Sequence, residues 1–397
     1  MPSRSEVGLI YVIGLVQGLA LVTFPAASSI FTSHSGFGFG ASRYGMMFVP
    51  QVILAILASS IGPRLAHRWT LKRVLQAGLS ADLLAMILLA GSRLLVDVPD
   101  AAYAMLLVAT GSLGFGFGAA VMAINTYAQR FAPGHEDRSV LVLNALLGAG
   151  TALAPLFVAI FLGAGAWWLM PSMVAAALTT LLLLSTKVPL EASRGNVADA
   201  ASAERLPGRF WLFAAAVFLY GIAETLNGNW SGPYLTGERG LSAESASFAL
   251  MAFWAMVTVG RILFATASSE RTVPWIYVGL PVVLIAAFQM ASLARGEAES
   301  IVAFGLSGFA CSAFFPLCIS LSGQEFPQLT ATMSGTLIAF YQAGYGVAAF
   351  GVGPLRELAG LPFHTIYSWG SAIAVAMFAV AFAVAQLRRP VYERQHY

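Results

Sequence analysis

Twelve times along this chain the sequence runs for about 20 mainly apolar residues, the length an α-helix needs to cross the hydrocarbon core of a bilayer. The runs fall near 7–32, 43–61, 73–95, 101–128, 140–162 and 166–186, then 210–235, 245–267, 274–294, 300–323, 331–353 and 364–387. Hydrocarbon offers no partner to an unpaired backbone N–H or C=O, so runs of this length must be helices. Only 10% of the 397 residues are charged, against roughly 25% in soluble domains. The expected fold class is therefore all-α and membrane-embedded, with no stretch left over for a soluble catalytic or nucleic-acid-binding domain.

The first run, from Val7 to Phe31, ends near Pro25-Ala26-Ala27-Ser28, which has the small residues of a processing site. It is longer than a typical signal core, so it reads as the first span. Most connections are short. The exception is 187–209, charged and rich in Ala and Ser. It divides the chain into a six-helix bundle at 1–186, a linker at 187–209 and a second six-helix bundle at 210–397.

Lys and Arg accumulate on the cytoplasmic side of a membrane protein. If both ends of the chain face the cytoplasm, fifteen of the 21 basic residues lie inside, among them Arg64, Arg68, Lys72 and Arg73 after the second span. Five lie outside, and Arg261 sits within a span. The bias places both termini in the cytoplasm, and the membrane expected is a bacterial cytoplasmic (inner) membrane.

The halves repeat. Span four reads GSLGFGFGAAVMAINTYAQRFAP from Gly111 and span ten reads GLSGFACSAFFPLCISLSGQEFP from Gly305. Gly111 and Gly114 match Gly305 and Gly308 at one constant offset. Spans five and eleven carry GAGTALAPL and GYGVAAFGVGPL, small-residue faces that close on Pro155 and Pro354. Two pseudo-symmetric bundles are the natural product of such a duplication.

One span is chemically unlike the others. From Arg209 to Gly237 the sequence is RFWLFAAAVFLYGIAETLNGNWSGPYLTG, with Glu224, Asn227, Asn229, Trp230 and Tyr234 in its middle and second half, and Gly228, Gly232 and Pro233 among them. An ionisable group in a span is costly and by default marks a function. The helix breakers predict a discontinuous helix of the kind that lines transporter binding sites. Glu224, Asn227 and Trp230 share a helix face by their spacing. Carboxylate and amide groups suit hydroxyls, and an indole suits the apolar face of a sugar ring, so these groups predict a site for a neutral polar solute. Other candidate solute-binding groups are Gln17, Asn125, Tyr341 and Gln342, with Asn144 and Tyr345 as further polar groups facing a cavity or a neighbouring helix. Candidate coupling or gating groups are Glu224, Asp82, Arg261, Arg64 and Arg68.

Several motifs carry no chemistry. Gly114, Gly116 and Gly118 mimic a dinucleotide loop but lie in a span, without the strand such a loop needs. Asn229-Trp230-Ser231 fits a glycosylation sequon but lies in a helix. Cys311 and Cys318 read as small apolar residues, and His34, His135 and His364 fall near span ends and read as surface residues. No His/Cys/carboxylate spacing points to a metal, no pairing to a catalytic nucleophile, and no cofactor is expected.

Twelve spans in two related halves with a long middle loop resemble the major facilitator superfamily. The loop GPRLAHRWTLKR from Gly62 resembles its basic loop at Gly62, Arg64, Arg68, Lys72 and Arg73, while His67 stands where that family has Asp and Thr70 where it has Gly. LNALLGAGTALAPL from Leu143, YGIAETLNGNWSGPYL from Tyr220 and VGRILFA from Val259 resemble the fucose–galactose–glucose:proton symporter branch and its bacterial relatives. The resemblance implies alternating access around a central path lined by spans one, four, seven and ten. It also implies a sugar or similar metabolite as solute, driven by a proton or sodium gradient, and a monomer working in the lipid bilayer. The acids associated with proton coupling in spans one and four of that branch are replaced here by Gln17 and Asn125. A proton-driven exporter of amphipathic compounds on the same fold is the alternative, permitted by the 27 Phe residues. A membrane-embedded enzyme or sensor is the remote one.

Overall fold

The computed structural model describes residues 3–131, 136–190, 207–267, 272–326 and 330–386. All the regular structure in them is helical, in the order α1 (Arg4–Ala26), α2 (Ser28–Thr32), α3 (Ala41–Met46), α4 (Val49–Arg68), α5 (Leu71–Gly91), α6 (Pro99–Phe131), α7 (Glu136–Gly163), α8 (Leu169–Lys187), α9 (Phe210–Gly237), α10 (Ala243–Ala267), α11 (Val273–Leu293), α12 (Glu297–Cys311), α13 (Phe314–Glu325), α14 (Thr330–Glu357) and α15 (Phe363–Gln386). Eleven stretches are long and apolar enough to cross a membrane. The twelfth expected span is α14, 28 residues long, whose apolar character is diluted by Tyr341, Gln342 and Tyr345. The middle of the linker, His135 and the last eleven residues lie outside the described residues.

Local chemistry explains where these helices start and bend. α1 opens with a capping box, the Glu6 N–H donating to Ser3 Oγ at 3.2 Å and the Ser3 N–H to Glu6 Oε2 at 2.6 Å. This satisfies two N–H groups that have no partner inside the helix. The Thr70 hydroxyl caps α5 by accepting from the Arg73 N–H at 3.3 Å. Thr70 also has φ 137°, a backbone region that suits glycine and strains a β-branched residue. Glycine, usual at this place in the loop that this segment resembles, would suit such a backbone, and the chain adopts it with Thr.

The expected break in span seven does not occur. α9 runs unbroken for 28 residues through Gly228, Gly232 and Pro233. The interruptions fall elsewhere: at Ala27 between α1 and α2, between α3 and α4, and between α12 and α13. A proline displaces only one helical donor, and the contacts described below hold the turn around Pro233 in place.

The packing repeats between halves. In the first, α1 lies against α7, and α6 against α4 and α5; in the second, α9 lies against α14, and α12 against α10 and α11. Reciprocal glycines set the closest approaches. A Cβ on Gly18 would meet the Leu147 carbonyl and one on Gly150 the Leu15 carbonyl, while Gly221 and Gly344 stand in the same relation to Tyr341 and Phe218. Spans one and five thus touch as spans seven and eleven do. The glycines of the sequence repeat agree: Gly114 abuts the Gln51 carbonyl on α4 and Gly308 the Phe253 carbonyl on α10. The halves meet along α7 with α10, and along α3 and α4 with α14. Exposed apolar side chains such as Ile53, Ile87, Leu183, Val302 and Val375 stud the outer surface of the helices, the belt that faces lipid.

Candidate functional site

Glu224 is 5% exposed, about 21 Å along α9 from Phe210 at 1.5 Å per residue. Both of its carboxylate oxygens are held by phenols. Tyr220, one turn earlier on the same face, donates its hydroxyl to Oε1 at 2.8 Å, and Tyr341 from α14 donates to Oε2 at 2.5 Å. The close approach of α9 and α14 at Gly221 and Gly344 brings Tyr341 within reach. Among the described residues Glu224 forms no ion pair. Each oxygen keeps a second lone pair, so the carboxylate is fixed in orientation yet able to accept further hydrogen bonds.

Aromatic rings wall this carboxylate. Tyr220 stacks against Phe314 at 5.8 Å and Phe315 at 5.9 Å, and Phe315 lies 5.2 Å from Tyr341. Phe314 and Phe315 open α13, directly after the break in span ten. Arg261 of α10 reaches that break, its Nε donating to the Ser312 carbonyl at 3.2 Å. Gly260 allows the approach, because a Cβ there would collide with the Ser312 side chain. Arg261 therefore holds a helix-end carbonyl, and the broken span presents aromatic rings to Glu224.

The other predicted residues divide between this cluster and more distant places. Asn227 is fully buried, its Nδ2 donating to the Ala223 carbonyl at 2.9 Å, while its Oδ1 has no hydrogen-bond partner among the described residues. The fully buried Trp230 gives its indole N–H to the Ala348 carbonyl at 3.1 Å and meets Tyr44 edge-on at 5.1 Å. Tyr234 donates to the Ala291 carbonyl at 2.7 Å and stacks on Tyr367 at 4.6 Å. The face expected to hold a solute as one unit is thus graded: its carboxylate has free acceptor capacity, and its indole is committed to packing. Gln342 is half-buried beside Tyr341, and Asn229 donates from Nδ2 to Tyr345 at 2.8 Å.

In the first half, Gln17 and Asp82 turn out to be partners. Gln17 Nε2 donates to Asp82 Oδ2 at 2.5 Å, and both side chains are essentially unexposed. Asp82 Oδ1 packs where a Cβ on Gly116 would otherwise sit. Spans one, three and four are tied together there. Asn125 and Asn144 are half-buried and donate to the carbonyls one turn back, Val121 at 2.8 Å and Val140 at 2.9 Å. Arg68 is exposed at the end of α4, and the side chain of Arg64 lies outside what is described. Cys311 and Cys318 are buried and free, and no group of potential metal ligands occurs among the described residues.

Tyr220 and Tyr44 were missed from the sequence. Tyr220 had a usable signal, since it precedes Glu224 by four residues and shares its face. Tyr44 had none, because its partner lies 185 residues away.

With this geometry in hand, the comparisons with known proteins are decisive for the family. Residues 10–353 match the model of the Major Facilitator Superfamily. The chain belongs to the major facilitator superfamily. It is a secondary transporter rather than an enzyme. No curated protein matches the sequence. Among solved structures, the nucleoside transporter NupG is similar at TM-score 0.77 and 13% identity, over 95% of this chain and 99% of that one. A D-xylose–proton symporter is similar at TM-score 0.76 and 15% identity, over 97% and 98%. The E. coli fucose:proton symporter FucP follows at TM-score 0.65 and 16% identity, over 97% and 99%. Identities this low carry the fold alone.

Proposed function

We propose that this superfamily member moves a small, neutral, polar solute such as a sugar or a nucleoside by alternating access, with Glu224 as the group that binds the solute or the coupling proton. The observation that carries the reading is the Glu224 carboxylate in a span, clamped by the Tyr220 and Tyr341 hydroxyls and walled by Phe314 and Phe315. Oriented acceptors beside aromatic faces suit hydroxyl groups on one side of a ring and C–H groups on the other. The nucleoside and sugar transport named for the similar structures supports this solute class. Sodium is the alternative coupling ion, and import is the proposed direction.

The bundles are proposed to divide at the linker 187–209 and to rock about the contacts of α7 with α10 and of α3 and α4 with α14. Basic-residue placement supports cytoplasmic termini in a bacterial inner membrane, with the chain acting as a monomer. Gln17 and Asp82 are proposed to brace the first bundle, and Arg261 to hold the break in span ten. Asn125 and Gln342, both half-buried, remain proposed cavity groups. The experiment is uptake of a panel of monosaccharides and nucleosides into proteoliposomes, with and without an inward proton or sodium gradient. Accumulation of one class that depends on a gradient is expected. Gradient-driven extrusion of amphipathic compounds, with no uptake of polar solutes, would overturn the reading.

A further inference from the structure

Pro233 lies inside α9, where it lacks the N–H that would bond the carbonyl four residues earlier, that of Asn229. The donor that reaches this carbonyl comes from the other half of the molecule. Tyr44 on α3 donates its hydroxyl to the Asn229 carbonyl at 2.8 Å, in a buried setting. Its ring is fully buried, edge-on to Trp230 at 5.1 Å and to Phe48 at 5.3 Å. The same turn of α9 is fixed within its own half, through Asn229 Nδ2 to Tyr345 and Trp230 Nε1 to the Ala348 carbonyl. At this end of the molecule α2 and α3 close on α9 and α14. A Cβ on Gly45 would run into the Ala349 carbonyl, and one on Gly232 into Ser28. The Ser42 N–H also crosses between halves, donating to Glu357 at 3.1 Å, but in an exposed position.

We propose that the Tyr44 hydroxyl and the proline-freed carbonyl of Asn229 form a latch that holds this end of the transport path shut. The bond favours the closed state because of what replaces it in the open one. When the end is closed, the carbonyl is buried, and without Tyr44 it would be left unsatisfied. When the end is open, water reaches the carbonyl, and Tyr44 is no longer needed. Pro233 is what makes the carbonyl depend on a partner from the other half. The inference rests on the alternating-access reading given above.

The test reads opening directly. Spin labels are placed at Ser35 and Ala359, both exposed at this end, and distance distributions are recorded in lipid nanodiscs. Four proteins are compared: the otherwise native chain, Tyr44→Phe, Pro233→Ala and the double variant. Tyr44→Phe removes one hydroxyl and is expected to raise the ratio of long to short distances about fivefold, the worth of one buried hydrogen bond. Pro233→Ala alone is expected to stay within about twofold of native, because a carbonyl accepts two bonds. In the double variant the backbone N–H restored by Pro233→Ala supplies the carbonyl, so the ratio is expected to return to within about twofold of native. Two distance populations that Tyr44→Phe leaves unchanged would overturn the latch alone. A shift that Pro233→Ala fails to reverse would overturn the part given to the freed carbonyl. One short distance in all four proteins would instead contradict the alternating-access reading.

Discussion

A carboxylate deep in a membrane span is tolerated only where partners replace water, and the partners of Glu224 are two phenols rather than a cation. Tyr341→Phe deletes one donor to that carboxylate and should lower stability by about 1–2 kcal/mol, measured by denaturant unfolding in detergent. A change below the error of that measurement would show that the bond contributes nothing. Gln17→Leu leaves the fully buried Asp82 without its amide and should cost about 1–3 kcal/mol. Its uptake per folded molecule should stay near native, since the pair is proposed to brace and not to bind. Some of this chemistry was legible in the sequence and some was not. Glu224 and Asp82 stood out because ionisable groups are rare in apolar runs, but that rarity says nothing about partners. The pairing of Gln17 with Asp82 joins spans one and three, and Tyr44 finds the Asn229 carbonyl across the two halves. Neither follows from local spacing. Trp230 shows the converse limit: residue type suggested a stacking platform, and three-dimensional packing gave its indole N–H to Ala348.

Helix boundaries were legible because about 20 apolar residues admit one solution in a bilayer, whereas helix continuity was not. Pro233 and two glycines predicted a break in α9, yet neighbouring helices supply what the proline removes. The real break in span ten lies at Ser312, four residues before Pro316, which lacks the N–H that would bond the Ser312 carbonyl, and Arg261 holds that freed carbonyl. Thr70 provides an element-scale prediction. Its φ of 137° strains a β-branched residue by roughly 1–3 kcal/mol, while a glycine cap gives up only a few tenths of a kcal/mol relative to Thr. Thr70→Gly should therefore stabilise the protein by about 1 kcal/mol or more, and a lower melting temperature would refute the strain. Beyond the end of α9, Glu238 accepts from the N–H groups of Phe363 and His364 and from the His364 ring, with Arg356 3.5 Å away. Burial pushes its carboxyl up, but the His364 backbone and ring and the Phe363 N–H outweigh this and hold it below the ordinary carboxylate value. A depressed carboxyl contributes stability that is fully present above its unfolded value and lost as pH falls through the folded one. Glu238→Gln should thus be less stable than the native chain at neutral pH, with the gap narrowing only as pH falls below the ordinary carboxylate value of about 4.3 and closing once it is below the folded one. A gap that stays constant throughout acid titration would contradict this.

At the scale of the molecule, six spans plus six emerged from hydropathy and the linker, and the repeat from Gly111, Gly114, Gly305 and Gly308. The structure shows why glycine carries the signal: at the matched contacts of spans four with two and ten with eight, a Cβ on Gly114 or Gly308 would strike a backbone carbonyl. The solute was never legible, because recognition depends on a few groups gathered from several spans, and their types are shared by many polar ligands. The central claim is that Glu224 carries binding or coupling, and uptake in proteoliposomes under an imposed gradient, comparing the native chain with Glu224→Gln, tests it most directly. Glutamine keeps the size of the side chain and an acceptor oxygen while removing the charge and the titratable proton. The account predicts that Glu224→Gln, folded and reconstituted to the same level, loses at least about tenfold of gradient-driven uptake, the loss of roughly 1.4 kcal/mol or more of binding or coupling. Uptake and gradient dependence equal to those of the native chain would contradict it.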